Sequence, residues 1–157
     1  MPIQNMFAAL KVQALAQLAN FNAATVVVSG DVLVVRRRFT LAEVNAGAVL
    51  LPPIFGIKYR LTDARMISIG GAFTTSTLVR ITGTQAAAVV ALLGVAIAAL
   101  SQSAVVRAGA ANATVLADGA SFIECDVQTG INVDKTGGAG TVATAVDVEA
   151  SFVLVEG

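Results

Sequence analysis

Gln85-Ala-Ala-Ala-Val-Val-Ala-Leu-Leu-Gly-Val-Ala-Ile-Ala-Ala-Leu100 runs for fifteen residues after its glutamine without a polar side chain. How the chain keeps this run out of water decides its class. A helix that crosses the hydrocarbon core of a bilayer needs about 20 apolar residues, and runs of about 10–14 belong more often to buried core. Thr82-Gly83-Thr84 and Ser101-Gln102-Ser103 cut the run off on its two sides, with no Lys/Arg or aromatic anchors. The run is therefore assigned to a core, not a membrane. Its alanines favour helix, but without a polar face its periodicity leaves helix and strand open. The reading that accommodates both is a doubly buried strand over Ala87–Leu93, a break at Gly94 and a short helical turn over Val95–Ser101.

Downstream lies the clearest strand. From Val142 to Leu154 the even positions are Val142, Thr144, Val146, Val148, Ala150, Phe152 and Leu154, and the odd ones include Asp147, Glu149 and Ser151. A period of two over so long a run marks a strand with one buried and one wet face. Ser121–Val127 is read the same way, with Ile123, Cys125 and Val127 inward and Glu124 and Asp126 outward. Ile131–Lys135 follows, and Gly137-Gly138-Ala139-Gly140 reads as a flexible hairpin loop.

Upstream, Thr25–Val28 and Val32–Thr40 are predicted to form a hairpin about Ser29-Gly30-Asp31. In its second strand Leu33, Val35 and Phe39 share a face with Arg37, while Arg36 and Arg38 take the other. Asn45-Ala46-Gly47 reads as a turn, and Val49–Leu51 stops at Pro52-Pro53, because proline does not continue a central strand. Ile57–Leu61 and Met66–Ile69 flank a bulge at Asp63, Gly70-Gly71 turns the chain, and Thr77–Thr82 follows. Val105–Arg107 and Thr114–Leu116 complete nine or ten strands with no βαβ rhythm. The predicted fold is mainly β: an antiparallel jelly-roll sandwich with an N-terminal helix and one short internal helical turn. A Greek-key barrel is the nearest competitor.

Ile3, Met6, Phe7, Leu10, Ala14, Leu15 and Leu18 recur at helical spacing, and Asn20-Phe21-Asn22 closes the pattern. Two units are expected: an N-terminal helix or arm over residues 1–22 and a β-sandwich (jelly-roll) domain over residues 23–157. Lys11 is the only charge on the arm's polar face. Phe7, Leu10, Leu15 and Leu18 are therefore candidate interface residues, expected to dock on a neighbour rather than to belong to the sandwich core. The N-terminus has no basic segment ahead of an apolar one, so no signal peptide is read.

Of the 157 residues 56% are hydrophobic and only 13% charged, against about 25% charged in an ordinary domain. A monomer so poor in charge exposes large apolar patches, and the composition therefore points to an obligate oligomer or a part of a larger assembly. Net charge is zero, which argues against a nucleic-acid partner. The charge is unevenly spread, with eight basic and three acidic residues up to position 80 and two and seven beyond it. Either strands of the two halves pair and neutralise one another, or opposite faces of neighbouring subunits meet. Arg36-Arg37-Arg38 is the densest charge. Arg36 and Arg38 join the candidate interface as a seat for an acidic partner or a phosphate backbone, with protection of an edge strand as the alternative.

The absence of histidine removes His-dependent triads, imidazole zinc sites and the metal site of cupin enzymes together. Cys125 is the only cysteine and, predicted inward, reads as a core residue rather than a nucleophile. Lys135-Thr136-Gly137 matches one element of penicillin-binding enzymes, but no serine has a lysine three residues on, so the match is chance. Glu124, Asp126 and Asp134 are the one carboxylate set that strand pairing might bring round a calcium ion, with ordinary solvated faces as the alternative. No catalytic, cofactor-binding or metal residue is assigned and no cofactor is expected.

Glu43-Val44-Asn45-Ala46-Gly47 with Leu50-Leu51-Pro52, Tyr59-Arg60 and Ile69-Gly70-Gly71 resembles small structural proteins of tailed bacteriophages. So do Val105-Val106-Arg107-Ala108-Gly109, Leu116-Ala117-Asp118-Gly119-Ala120-Ser121-Phe122 and Thr141-Val142-Ala143-Thr144-Ala145. Over residues 39–157 the chain is similar to the jelly-roll decoration, or cement, proteins of phage capsids. The resemblance implies a structural, non-enzymatic virion protein on the capsid surface, made in the host cytoplasm. It further implies a homotrimer that binds the major capsid protein between capsomers, without nucleic-acid or membrane partners. The alternative is a fibre or receptor-binding module that recognises sugar or protein through its loops. The lack of Trp and the single Tyr weigh against that alternative.

Overall fold

A computed structural model of the chain describes residues 8–9, 12–13, 16–18, 24–29 and 32–157. Among them ten strands follow in order: β1 (Thr25–Ser29), β2 (Val32–Thr40), β3 (Ala48–Leu51), β4 (Ile57–Ile69), β5 (Phe73–Gln85), β6 (Ala88–Ala96), β7 (Val105–Arg107), β8 (Ala113–Val115), β9 (Ile131–Val142) and β10 (Ala145–Glu156). One sheet has the order β1-β2-β10-β4-β7 and the other β3-β9-β5-β6-β8. All these strand pairs are antiparallel. Without β1 and β8 the sheets are β2-β10-β4-β7 and β3-β9-β5-β6, the two halves of a jelly roll. The chain changes sheet at most connections, so each sheet is built from distant segments and the core closes only when both are present.

The alternation in β10 places Val146, Val148, Ala150, Phe152 and Leu154 inside. They meet Leu33, Val35 and Phe39 of β2 and Tyr59, Leu61 and Met66 of β4 in the core between the sheets. The rings of Tyr59 and Phe152 pack edge to face, 6.0 Å between centroids, and the Tyr59 hydroxyl donates to Pro52 O at 2.8 Å. That bond satisfies the one polar atom the ring carries into the interior. Burial pushes the Tyr59 phenol pKa up. The bulge expected at Asp63 is present, since β4 stays one strand but slips register against β10 between Ser151 and Phe152.

The apolar run forms strand β6 and then a turn of 3-10 helix over Ile97–Ala99, as the helical part of its reading anticipates. Two details of that reading are corrected. Gly94 does not break the strand but lies within it, opposite both Arg80 and Thr114. The strand is also not buried along its length, for Ala88 and Val89 are exposed and only Leu92–Val95 is fully covered. A register slip opposite Ile81 and Thr82 makes Leu92 an extra residue, and such a bulge lets Leu92 and Leu93 both turn inward. Nearer its start β6 rises to a two-residue turn, Ala86-Ala87, and leaves the core behind.

Three further expectations are corrected. Asn45-Ala46-Gly47 is not only a turn but the end of a short helix, α1 (Leu41–Ala46), opened by a Thr40/Glu43 capping box. Gly137–Gly140 is not a loop but part of β9, paired with β5 across two irregularities. Its glycines answer close approach rather than flexibility. A Cβ on Gly140 would stand 2.2 Å from Cζ of Phe73, and Asn45 clamps Gly140 by donating to its carbonyl at 3.1 Å and accepting from its N–H at 2.6 Å. The last strand starts at Ala145 rather than Val142, because Val142 has φ +73° and is exposed.

Ser121–Val127 is the largest departure. It forms no strand beyond a single bridge from Glu124 to Arg60, and its first residues end a 3-10 segment, Ala117–Phe122. The segment crosses one end of the sandwich and ties the sheets together. Cys125 N donates to Tyr59 O at 2.8 Å, Asp126 N to Thr84 O at 2.7 Å and Gln128 N to Ile57 O at 3.1 Å. Cys125 is buried as expected, whereas Ile123 and Val127 are exposed. With its donors going to both sheets, the segment has no ladder to impose a two-residue period.

Residues 8–9, 12–13 and 16–18 are helical. Leu18 is completely buried and belongs to the sandwich core, so at that residue the expectation of an arm apart from the core gives way. Phe7, Leu10 and Leu15 lie outside the described residues. Among the described residues no helix is long and apolar enough to cross a membrane.

Candidate functional site

The outer face of the β1-β2-β10-β4-β7 sheet gathers most of the charge. Strand register sets it out in rows. Thr25, Arg36, Glu149, Arg65 and Arg107 stand opposite one another across all five strands. Arg38, Asp147, Ile67 and Val105 form the next row. Basic residues from the first half of the chain thus meet acidic ones from the second within one molecule, because β10 is inserted between β2 and β4. Arg36–Glu149, Arg38–Asp147 and Arg65–Glu149 are pairs of this kind, and Arg60–Glu124 and Arg80–Asp134 join the two halves of the chain elsewhere. Pairing between strands of the two halves, one of the two explanations of the charge asymmetry, is present within the chain.

Two of the pairs on this face are closed. Arg38 holds Asp147 through Nε at 2.6 Å and Nη2 at 2.8 Å, and that hydrogen bonding raises the Arg38 pKa. Arg107 donates to Asp63 through Nε at 3.1 Å and Nη2 at 2.5 Å, and the Asp63 carboxyl is held below its usual range chiefly by these bonds. Glu149 differs. Its Oε2 alone serves both Arg36 Nε and Arg65 Nη2, the latter at 3.0 Å. Thr25, Arg36, Arg38, Arg65, Asp147 and Glu149 surround a shallow depression of about 450 Å³. A smaller one of about 200 Å³, lined by Thr25, Val27, Val34 and Arg36, adjoins it.

Arg37 points the other way, as the alternation anticipates. Its side chain is 8% exposed and lies over the Phe39 ring, 4.4 Å from the centroid. It donates to Glu43 Oε1 at 2.6 Å and to Val49 O, and its buried Nε finds no acceptor among the described residues. Glu43 also accepts from Thr40 N at 2.8 Å. That backbone bond is the first cause holding its pKa below the usual range, and Arg37 adds to it against the opposing effect of burial. Arg37 therefore fastens α1 to β2 and β3, and only Arg36 and Arg38 of the trio face outward.

A second surface lies at the end of the sandwich crossed by residues 118–128. Phe55 and Val89 are each 73% exposed, Ile123 50%, Val127 41% and Phe122 38%. Hydrogen bonds place them at the same end. Gly157 N donates to Gly56 O beside Phe55, Gln128 N to Ile57 O beside Val127, and Gln85 Nε2 to Ala120 O near Phe122. The Ala86-Ala87 tip is fixed there by Asp126, which accepts from Ala86 N at 3.1 Å and Ala87 N at 2.7 Å. Both alanines have positive φ, 51° and 62°, a conformation that costs an alanine about 1–2 kcal/mol and that these two bonds help to offset.

The carboxylates considered for a cation do not converge. Glu124 pairs with Arg60, Asp126 caps the Ala86-Ala87 tip and Asp134 holds Arg80 in two bonds of 2.7 Å. No group of three or more metal-ligating side chains is found among the described residues. Cys125 Sγ lies against Gly83, beside which Leu92 and Ile131 also pack, and burial pushes its thiol pKa up to about 11. Of the predicted interface residues, Arg36 and Arg38 sit together on the charged face and Leu18 lies in the core. Arg65, Glu149 and Thr25 complete that face and were not singled out from sequence, because Glu149 stands between Arg36 and Arg65 only through strand pairing, 84 residues from Arg65. Phe55 was legible in principle, as an aromatic residue in the turn after Pro52-Pro53.

Compared with protein-family models, curated proteins and solved structures, the chain matches none.

Proposed function

We propose that this protein is a structural component of a tailed-phage virion, which decorates and stabilises the capsid as an oligomer, a trimer by the resemblance. The observation that carries the reading is the apolar end of the sandwich. Phe55, Val89, Ile123 and Val127 are held there in the open by a well-bonded frame. Isolated exposed hydrophobics need no explanation, but several at one end of a rigid domain mark a surface that another protein covers. The jelly roll, a fold that recurs in capsid proteins, and the resemblance over residues 39–157 support the same reading.

The test is co-sedimentation. The chain is produced together with the major capsid protein of the phage that encodes it, and the particles are banded on a density gradient. The protein is expected in the particle band at a fixed ratio, and in light scattering at low micromolar concentration as an oligomer with no folded monomer. Its absence from washed particles, or a stable monomer, overturns the proposal.

A further inference from the structure

We propose that the outer face of the β1-β2-β10-β4-β7 sheet is a docking site for a protein segment that presents one carboxylate and, two residues away, an aliphatic side chain. The inference goes beyond the capsid reading and stands without it. Around Arg36 the face carries four arginines, Arg36, Arg38, Arg65 and Arg107, and three carboxylates, Asp63, Asp147 and Glu149, while Lys58 and the Arg60–Glu124 pair lie farther along β4. Arg38 with Asp147 and Arg107 with Asp63 are complete pairs. Glu149 has two guanidiniums on one oxygen, so one positive charge of this cluster has no counterpart among the described residues. Arg36 meets Glu149 through Nε and is 64% exposed, and the fork of its two terminal nitrogens makes no hydrogen bond among the described residues. A carboxylate accepts from such a fork in two parallel bonds.

The second half of the site is apolar. The small depression beside Arg36 is lined by Val27 and Val34 and shares Thr25 and Arg36 with the larger one. Val34 and Arg36 are two residues apart on the same face of β2, a spacing of about 7 Å. An extended segment repeats that spacing between its own alternate side chains, so a carboxylate at the Arg36 fork brings an aliphatic group over Val34 and Val27. The arginines are held in register by three paired strands, so little ordering is needed on docking. Nucleic acid fits less well. One uncompensated charge offers a polyphosphate a single contact where such binding rests on several, and among the described residues the face has no aromatic ring for bases.

The probe is a blocked tripeptide of valine, alanine and glutamate, beside the same peptide with glutamine and a short single-stranded oligonucleotide. Each is titrated into the full-length protein and followed by amide and arginine side-chain nitrogen NMR. Saturable shifts are expected at Thr25, Val27, Arg36 and Arg65, with dissociation in the millimolar range and about 5-fold weaker binding of the glutamine peptide. Added salt weakens the glutamate peptide alone. Arg36→Gln removes the uncompensated charge and is expected to reduce affinity for the glutamate peptide by about 5-fold. Glu149→Gln leaves two guanidiniums free and is expected to tighten it. The two variants thus move the affinity in opposite directions, which a general loss of structure does not do. Equal binding of the two peptides overturns the proposal. So does an unchanged affinity in Arg36→Gln, a weaker one in a folded Glu149→Gln, or preferential binding of the oligonucleotide at the same residues.

Discussion

Replacing Gly140 by alanine adds a methyl group 2.2 Å from Cζ and 2.5 Å from Cε1 of Phe73. Carbon atoms that are not bonded rest about 3.5–4.0 Å apart, so the ring has to retreat by about 1.3 Å. Phe73 is 1% exposed and has no solvent to swing into, and Asn45 pins Gly140 from its other side. Overpacking of this kind costs about 1–3 kcal/mol. One effect opposes it. Gly140 does not have a positive φ, so alanine adds no backbone strain and stabilises by about 0.4–1 kcal/mol through the unfolded chain. The expected net loss is about 1–2 kcal/mol, a fall in Tm of about 2–8 °C for a domain of this size. A flexible loop at the same place would show only the stabilising effect, with the opposite sign. Phe73→Leu withdraws the ring edge that the methyl strikes, so the double variant is expected to lose less than the two single variants together, by about 1 kcal/mol. Urea and thermal unfolding of the four proteins, followed by circular dichroism, measures both quantities. An alanine variant as stable as the parent, or strict additivity in the double, refutes the argument.

Cys125, with its thiol pKa raised by burial to about 11 and its sulfur enclosed by core side chains, is expected to stay unlabelled by a thiol reagent at pH 8 until the protein is unfolded; rapid native labelling means the segment is not packed as described. Glu43 has its folded pKa lowered, first by the Thr40 N–H, so its contribution to stability is complete above the unfolded value of about 4.3 and is lost as pH falls through the folded value. Glu43→Gln should therefore destabilise at pH 7, and the gap to the parent should narrow below about pH 4; a gap independent of pH counts against the charge as its source. Leu18→Ala should cost about 2–5 kcal/mol as a core truncation, measured in urea, whereas an arm that only meets a neighbour predicts no change in the isolated fold.

Alternation and turn chemistry carry far in this chain. Residues 146–154 announce a half-buried strand, Val32–Thr40 its bounds and the inward turn of Arg37, Pro52-Pro53 the end of β3, and Asp63 a bulge, because each depends on neighbours within one strand or turn. The short apolar turn after Gly94 belongs to the same class. The α1 helix was also locally written, in Thr40 and Glu43 three residues apart, but its six residues contain too little periodicity to stand out beside a turn. Where local pattern misleads, the cause lies elsewhere in the molecule. Ser121–Val127 alternates like a strand yet spends donors on Tyr59 and Thr84 of two different sheets, and no sequence period records where those acceptors will be.

The amino-acid sequence by itself determined that the protein is mainly β, that its core is aliphatic and that histidine chemistry is absent, since composition and a two-residue period act over a few positions. Only the tertiary structure decided what stands beside what. Placing β10 between β2 and β4 turns a charge asymmetry along the chain into ion pairs on one face and leaves Arg36 with a fork to spare. Bringing Phe73 against Gly140 makes a core contact of what looks like a loop glycine. Both depend on pairing strands more than sixty residues apart, and such pairing is chosen by how completely the two sheets bury their common interior, a property of the closed sandwich and of no segment within it.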